Sequence, residues 1–159
     1  MTEGLPALGR RGEGWVAAQG VLIVAALACG LRGPRWPAGA RTTLRAAAVV
    51  VGLGGGALFA AGGAGLGRQL TPFPKPIDDG ELRDDGAYGL VRHPIYGGVL
   101  TLGLAWALAT SPAVLVPIVV GAPFFELKAR REEAWLEERH PDYAAYRQRV
   151  RKKFLPFVW

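Results

Sequence analysis

The chain has 159 residues, half of them hydrophobic and only 20% charged, with 23 glycines and a mean hydropathy of +0.19. A soluble domain of this size has too little interior to hide that much apolar surface, and the apolar residues come in long blocks, which predicts a membrane protein. The net charge of +6 flanks those blocks instead of covering a polar domain, so it is read as topology and lipid contact, and nucleic-acid binding is set aside.

The first apolar block, residues 15–31, follows Arg10 and Arg11 as a signal peptide would. Its length and the further blocks behind it favour an uncleaved span. Cys29, the single cysteine, has neither a disulfide partner nor metal-ligand company and is expected as a small buried hydrophobe. Residues 46–67 carry no charge over 22 positions, enough to cross roughly 30 Å of hydrocarbon. Gly52 with Gly56 and Gly63 with Gly67 form two GxxxG pairs, which either admit a close neighbouring helix or only mark a permissive, glycine-rich one. "TPFPKPIDDG" (71–80) reads as a stiff connector, a candidate rim or lid.

From Pro94 to Phe125 there are 32 residues without a charge. One helix of that length would measure about 48 Å, too long for a bilayer. Ser111-Pro112 offers a turn, so a hairpin of two short helices is expected, the second running past Phe125 and kinked by Pro117 and Pro123. The expectation is therefore one all-α integral membrane domain over 1–159. It has about four transmembrane helices (near 15–31, 46–67, 94–110 and 113–127), a C-terminal helical hairpin and an amphipathic C-terminal helix. Of the 19 Lys/Arg, all but Arg32, Arg35, Arg41 and Arg45 fall on the side shared by both termini. The positive-inside bias makes the termini and the elements 80–98 and 126–159 cytoplasmic.

Both histidines sit in near-repeats, "RHPIY" (92–96) and "RHPDY" (139–143). Pro94 suits the first turn of a helix. That places Arg92 and His93 beside a helix N-terminus, where free N–H groups attract a carboxylate or phosphate. Gly97 and Gly98 would leave room against the helix, and Tyr88 and Tyr96 would add aromatic faces. The competing reading is an interface cap of Arg, His and Tyr in the headgroups. Lys128 and Glu132 share a helix face four residues apart, and Glu132 should lie near the membrane surface. The second copy is read as a coincidence. Pro141 ends the helix, His140 is a helix-end residue, and Asp142 can cap the next helix. Tyr143, Tyr146 and Val150 then share a face opposite "RQRVRKK" (147–153), an amphipathic segment lying on an anionic membrane surface. With two histidines so explained, no metal site is expected.

The ordered set "GAYGLVRHPIYGG", an uncharged hairpin, Glu132-Glu133, Tyr143 and Tyr146, and Leu155-Pro156 resembles the isoprenylcysteine carboxyl methyltransferases and their bacterial phospholipid-methyltransferase-like relatives, over about residues 80–159. The resemblance implies a membrane methyltransferase using S-adenosyl-L-methionine. Leu82, Arg83, Tyr88, His93, Pro94, Ile95, Tyr96 and Glu132 would line the cofactor pocket, and Arg92 and Glu133 would be the candidate catalytic residues. The chemistry agrees. A helix N-terminus with His93 suits the cofactor carboxylate, Glu132 its diol or cationic end, and Tyr rings its adenine or sulfonium. Methyl transfer is an in-line displacement in which positioning and exclusion of water dominate. Glu133 is available as a base for a thiol or amine. Lys128 stands where the prenylcysteine methyltransferases hold the substrate with Arg. Lys keeps the charge without the bidentate fork, which leaves a prenylcysteine-type carboxylate, a lipid amine or a small thiol as the lipophilic or small-molecule acceptor. Two rival readings remain. One is an NADPH-dependent reductase, since membrane sterol reductases resemble the same half but read RHPNY. The other is a non-catalytic ligand-binding membrane protein.

Overall fold

In a computed structural model, which describes residues 5–159, the chain is all-helical. The helices are α1 (Glu13–Arg32), α2 (Arg41–Leu66), α3 (Pro94–Ala109), α4 (Leu115–Arg139) and α5 (Tyr143–Arg149). Three helical stretches, Glu13–Arg32, Ala38–Gln69 and Pro112–Arg139, are long and apolar enough to cross a membrane. Their outer faces expose Val21, Val24, Leu27, Val50, Leu53, Val116 and Val119, the surface a lipid bilayer wets. The chain is a multi-pass membrane protein. The first of the two short hairpin helices expected is α3, an apolar helix of 16 residues, about 24 Å at 1.5 Å per residue.

The hairpin turns where the sequence indicated. Ser111, fully buried, accepts a hydrogen bond from the Ala113 N–H and starts the 3-10 turn that leads into α4. Pro117 does not interrupt α4. It falls in the first turn, where no intrahelical N–H is needed, and only Pro123 lies inside the helix. Cys29 is half-buried on α1, not the buried hydrophobe expected.

α2 and α3 pack through glycine, but of the two GxxxG pairs only Gly52 faces α3, an added Cβ lying 3.5 Å from that of Ala105. A Cβ on Gly55 would meet Thr101 at 2.9 Å, and one on Gly62 would meet Pro94 and Ile95 at 2.9 Å, whereas Gly56 and Gly67 face open space. Gly98 answers from α3, its missing Cβ 2.7 Å from that of Phe59. α1 joins through Gly30, which gives up its side-chain volume to Trp106. The Trp106 indole donates to the Ala26 carbonyl at 3.1 Å. The room expected at Gly97 and Gly98 is therefore filled by protein. At Gly97 it is taken by the Phe154 carbonyl, which would lie 2.0 Å from an added Cβ.

That contact fixes the C-terminal segment against the start of α3. The Arg92 and His93 amides donate to the Lys152 and Lys153 carbonyls at 3.0 and 2.7 Å. Phe154 is fully buried in a cluster with Phe125 and Ala129. The segment expected on the membrane surface is thus part of the fold. α5 has only seven residues, and Tyr143, Tyr146 and Val150 pack inward on Leu82 and Leu136. Asp142 takes the N-cap position of α5 without a side-chain capping bond.

Gly97→Ala should force this segment away and cost roughly 1–3 kcal/mol, read as a drop of several degrees in the unfolding midpoint in detergent. Gly56→Ala should leave the midpoint unchanged or higher.

Candidate functional site

Pro94 opens α3 and is itself fully buried against Gly62, so it positions the RHP segment instead of lining a cavity. His93 is the N-cap residue. Arg92 and His93 converge on one carboxylate, Glu133 of α4. Arg92 Nε donates to Glu133 Oε1 at 2.9 Å, and His93 Nε2 lies 3.1 Å from the same oxygen. Arg92 Nη1 also donates to the Val150 and Arg151 carbonyls, both at 2.8 Å. All three side chains are nearly inaccessible, with 8% of Arg92, 4% of His93 and 8% of Glu133 exposed. Charges this deep are tolerated because they are paired and hydrogen-bonded.

Next to this cluster lies a cavity of about 370 Å³, within the range of small-molecule sites. Of the residues expected at a cofactor pocket, Leu82, Arg83, Tyr88, His93, Ile95, Tyr96 and Glu132 line it, together with Arg92 and Lys128. Glu133 does not line it. Its Oε1 is occupied by Arg92 and His93, so it holds the wall and is not placed to act as a base. Nor does His93 wait for a ligand carboxylate, because its imidazole is engaged by Glu133 and its Nδ1 is 3.9 Å from Glu132 Oε2.

Of the two glutamates of the pair, Glu132 is the one that faces the cavity. Tyr96 donates to its Oε2 at 2.5 Å, and the Tyr96 ring lies parallel to the His93 imidazole, centroids 5.4 Å apart. One turn earlier on α4, Lys128 reaches Gln19 Oε1 at 2.6 Å and the Pro72 carbonyl at 3.3 Å, and sits 5.0 Å over the Tyr96 ring. The cavity therefore has a polar wall of Glu132, Lys128 and Gln19, two of them charged.

A further part of the lining is neutral. Tyr88, Tyr143 and Tyr146 line it with Leu82 and Leu136, and the Tyr146 hydroxyl donates to the Tyr88 carbonyl at 2.9 Å. Burial, with the Glu132 charge, holds the Tyr88 phenol above the ordinary tyrosine range. Burial does the same for Tyr143 and Tyr146, so all three stay protonated. His140 caps α4 and also lines the cavity. Burial and then the Arg139 charge lower its pKa, which keeps it neutral at pH 7.

His140, in the second RHP copy, borders the same cavity as His93. The i, i+3 tyrosine face is visible in the sequence, but its partner, Leu82, lies some 60 positions away, and nothing local distinguishes a protein partner from a lipid one. Gln19 carries no signal beyond being a polar residue inside an apolar span. The connector 71–80 does form a rim, with Thr71, Pro72, Pro74, Pro76 and Ile77 on the lining. Among the described residues no cluster of metal-ligating side chains occurs.

No family model matches the chain. Over 83 residues, half of this chain, it is 32% identical to a Delta(14)-sterol reductase of Mus musculus. The matched residues make up 20% of that reductase, so the chain spans about a fifth of the length of this curated relative.

The two glutamates separate cleanly. Glu133→Ala should leave Arg92 buried without its partner and cost about 3–5 kcal/mol, seen as a large loss in the unfolding midpoint. Glu132→Gln, at a side chain 26% exposed, should keep the midpoint within a degree or two while changing what the cavity binds.

Proposed function

We propose that the protein is a membrane methyltransferase that takes S-adenosyl-L-methionine in the cavity beside the RHP segment. The observation that carries this reading is the pairing of a cavity-facing carboxylate, Glu132, held by Tyr96, with a neutral aromatic wall of Tyr88, Tyr143 and Tyr146. A carboxylate and tyrosine faces together suit a ligand that is cationic at one end and carries a flat base at the other. Lys128 is the counterpart for a carboxylate, on the ligand or on the acceptor. The cavity volume suits an adenosyl amino acid better than a dinucleotide with nearly twice as many atoms. Of the cations on its lining, Arg92 is held by Glu133, Arg83 is paired with Glu81, and Lys128 is bonded to Gln19 and the Pro72 carbonyl, which is a poor match to several phosphates.

When bound, the cofactor supplies an electrophilic methyl group. The protein's own work is then positioning and drying. Glu132 and Lys128 orient the charged end, the Tyr88–Tyr146 wall takes the flat base, and the connector 71–80 excludes water. Phe59, Leu66, Ile95 and Val99 carry the lining from the cavity toward the apolar faces of α2 and α3, which favours a lipophilic acceptor. A carboxylate acceptor needs no base, consistent with Glu133 being locked to Arg92 and His93. The positive-inside bias makes the cavity and both termini cytoplasmic.

A second reading, an NADPH-dependent membrane reductase, is favoured by the partial identity with the sterol reductase. In that case a protonated phenol on the neutral wall is the natural proton donor. Calorimetric titration of detergent-purified protein separates the two. Binding of S-adenosyl-L-methionine but not NADPH, weakened at least tenfold in Glu132→Gln, is expected. Binding of NADPH alone would move the assignment to a reductase, and binding of neither would leave a non-catalytic membrane module.

A further inference from the structure

The arginines that run against the charge bias lie at the other end of the bundle. α2 has 26 residues, so its ends are about 37 Å apart. Leu66 borders the large cavity, while Arg41 and Arg45 border a second, small one of about 70 Å³. Its lining is Arg35, Trp36, Arg41, Arg45 and the end of α3 at Leu108–Thr110. The site is built. The Trp36 indole donates to the Ala107 carbonyl at 2.8 Å, Arg41 Nε to the Trp36 carbonyl at 2.7 Å, and Arg35 Nη1 to the Gly30 carbonyl at 3.2 Å. Each of these guanidinium groups spends one donor on the scaffold and keeps the others. Arg45 has no protein partner among the described residues.

Among the described residues no acidic side chain lines this cavity. Between Glu13 and Asp78 there is no acidic residue, and the 94–125 hairpin carries no charge at all. Three exposed guanidinium groups around one small cavity at the edge of the apolar spans make it electropositive and accessible to an anion from outside. We propose that this cavity is a phosphate-binding site, separate from the catalytic cavity, which seats the phosphate of an anionic lipid headgroup. Guanidinium groups match phosphate oxygens by paired hydrogen bonds, the volume admits one tetrahedral oxyanion, and the position at the end of the spans is headgroup level.

The test is native mass spectrometry of the detergent-purified protein titrated with phosphatidylglycerol and, separately, phosphatidylcholine, beside thermal unfolding with inorganic phosphate. The parent should bind phosphatidylglycerol more tightly than phosphatidylcholine. Arg45→Gln, at an exposed side chain without a structural bond, should raise the Kd for phosphatidylglycerol about fivefold. Arg151→Gln, at the basic opposite end, should leave it unchanged. Stabilisation of the parent but not Arg45→Gln by inorganic phosphate, without lipid preference, would keep the phosphate site and assign it a soluble source. Equal binding by parent and Arg45→Gln for both ligands, or an equal loss in Arg151→Gln, would overturn the proposal.

Discussion

Everything on the large-cavity side of the molecule hangs from the Glu133 carboxylate. It is the point at which the start of α3, the C-terminal half of α4 and the C-terminal segment meet, because Arg92 bonds it and the Val150 and Arg151 carbonyls at once. A buried Arg–carboxylate pair is not in itself a large source of stability, since desolvation consumes most of the Coulomb gain. Its contribution is register. Arg92 and His93 reach Glu133 together in one arrangement of three segments, and that arrangement brings Glu132, the preceding residue on α4, to face the cavity.

The glycine packing on the membrane side serves the same end. Gly55, Gly62 and Gly98 let α2 and α3 approach until Pro94 and Ile95 rest on α2, which sets the height of the RHP segment. Gly97 lets the Phe154 carbonyl in, which seals that segment from behind. In lipid no hydrophobic force drives helices together, so close packing of small residues has to do it. The cavity is thus walled by rigid elements on three sides, and by the proline-rich connector on the fourth, tied at Pro72 to Lys128.

Much of this is legible in the sequence, for local reasons. Charge-free runs predict the spans, Ser111-Pro112 the turn, and Pro94 the helix start, because each depends only on neighbours in the chain. The cavity-facing positions of Tyr88, His93, Tyr96 and Glu132 are also within reach of the motifs. Contacts between distant segments are not. Glu132 and Glu133 are adjacent and chemically identical, and only the three-dimensional position of Arg92 decides that one braces the wall while the other faces the cavity. The GxxxG spacing does not single out the tight contacts at Gly55 and Gly62, since a run with a glycine on every face cannot show which face a neighbour takes. Tyr143 and Tyr146 read as lipid-facing because an apolar stripe does not name what covers it.

Methyl transfer from this cavity is the central claim, and the direct measurement is transfer itself. Purified protein in lipid nanodiscs, given S-adenosyl-L-methionine labelled in the methyl group together with a panel of prenylcysteine, amino-lipid and thiol acceptors, should move label into an organic-extractable product. Glu132→Gln, folded as well as the parent, should lose nearly all of it. No labelled product from any acceptor, with NADPH consumed by the same preparation in the presence of an unsaturated lipid, would contradict a methyltransferase and leave a reductase in its place.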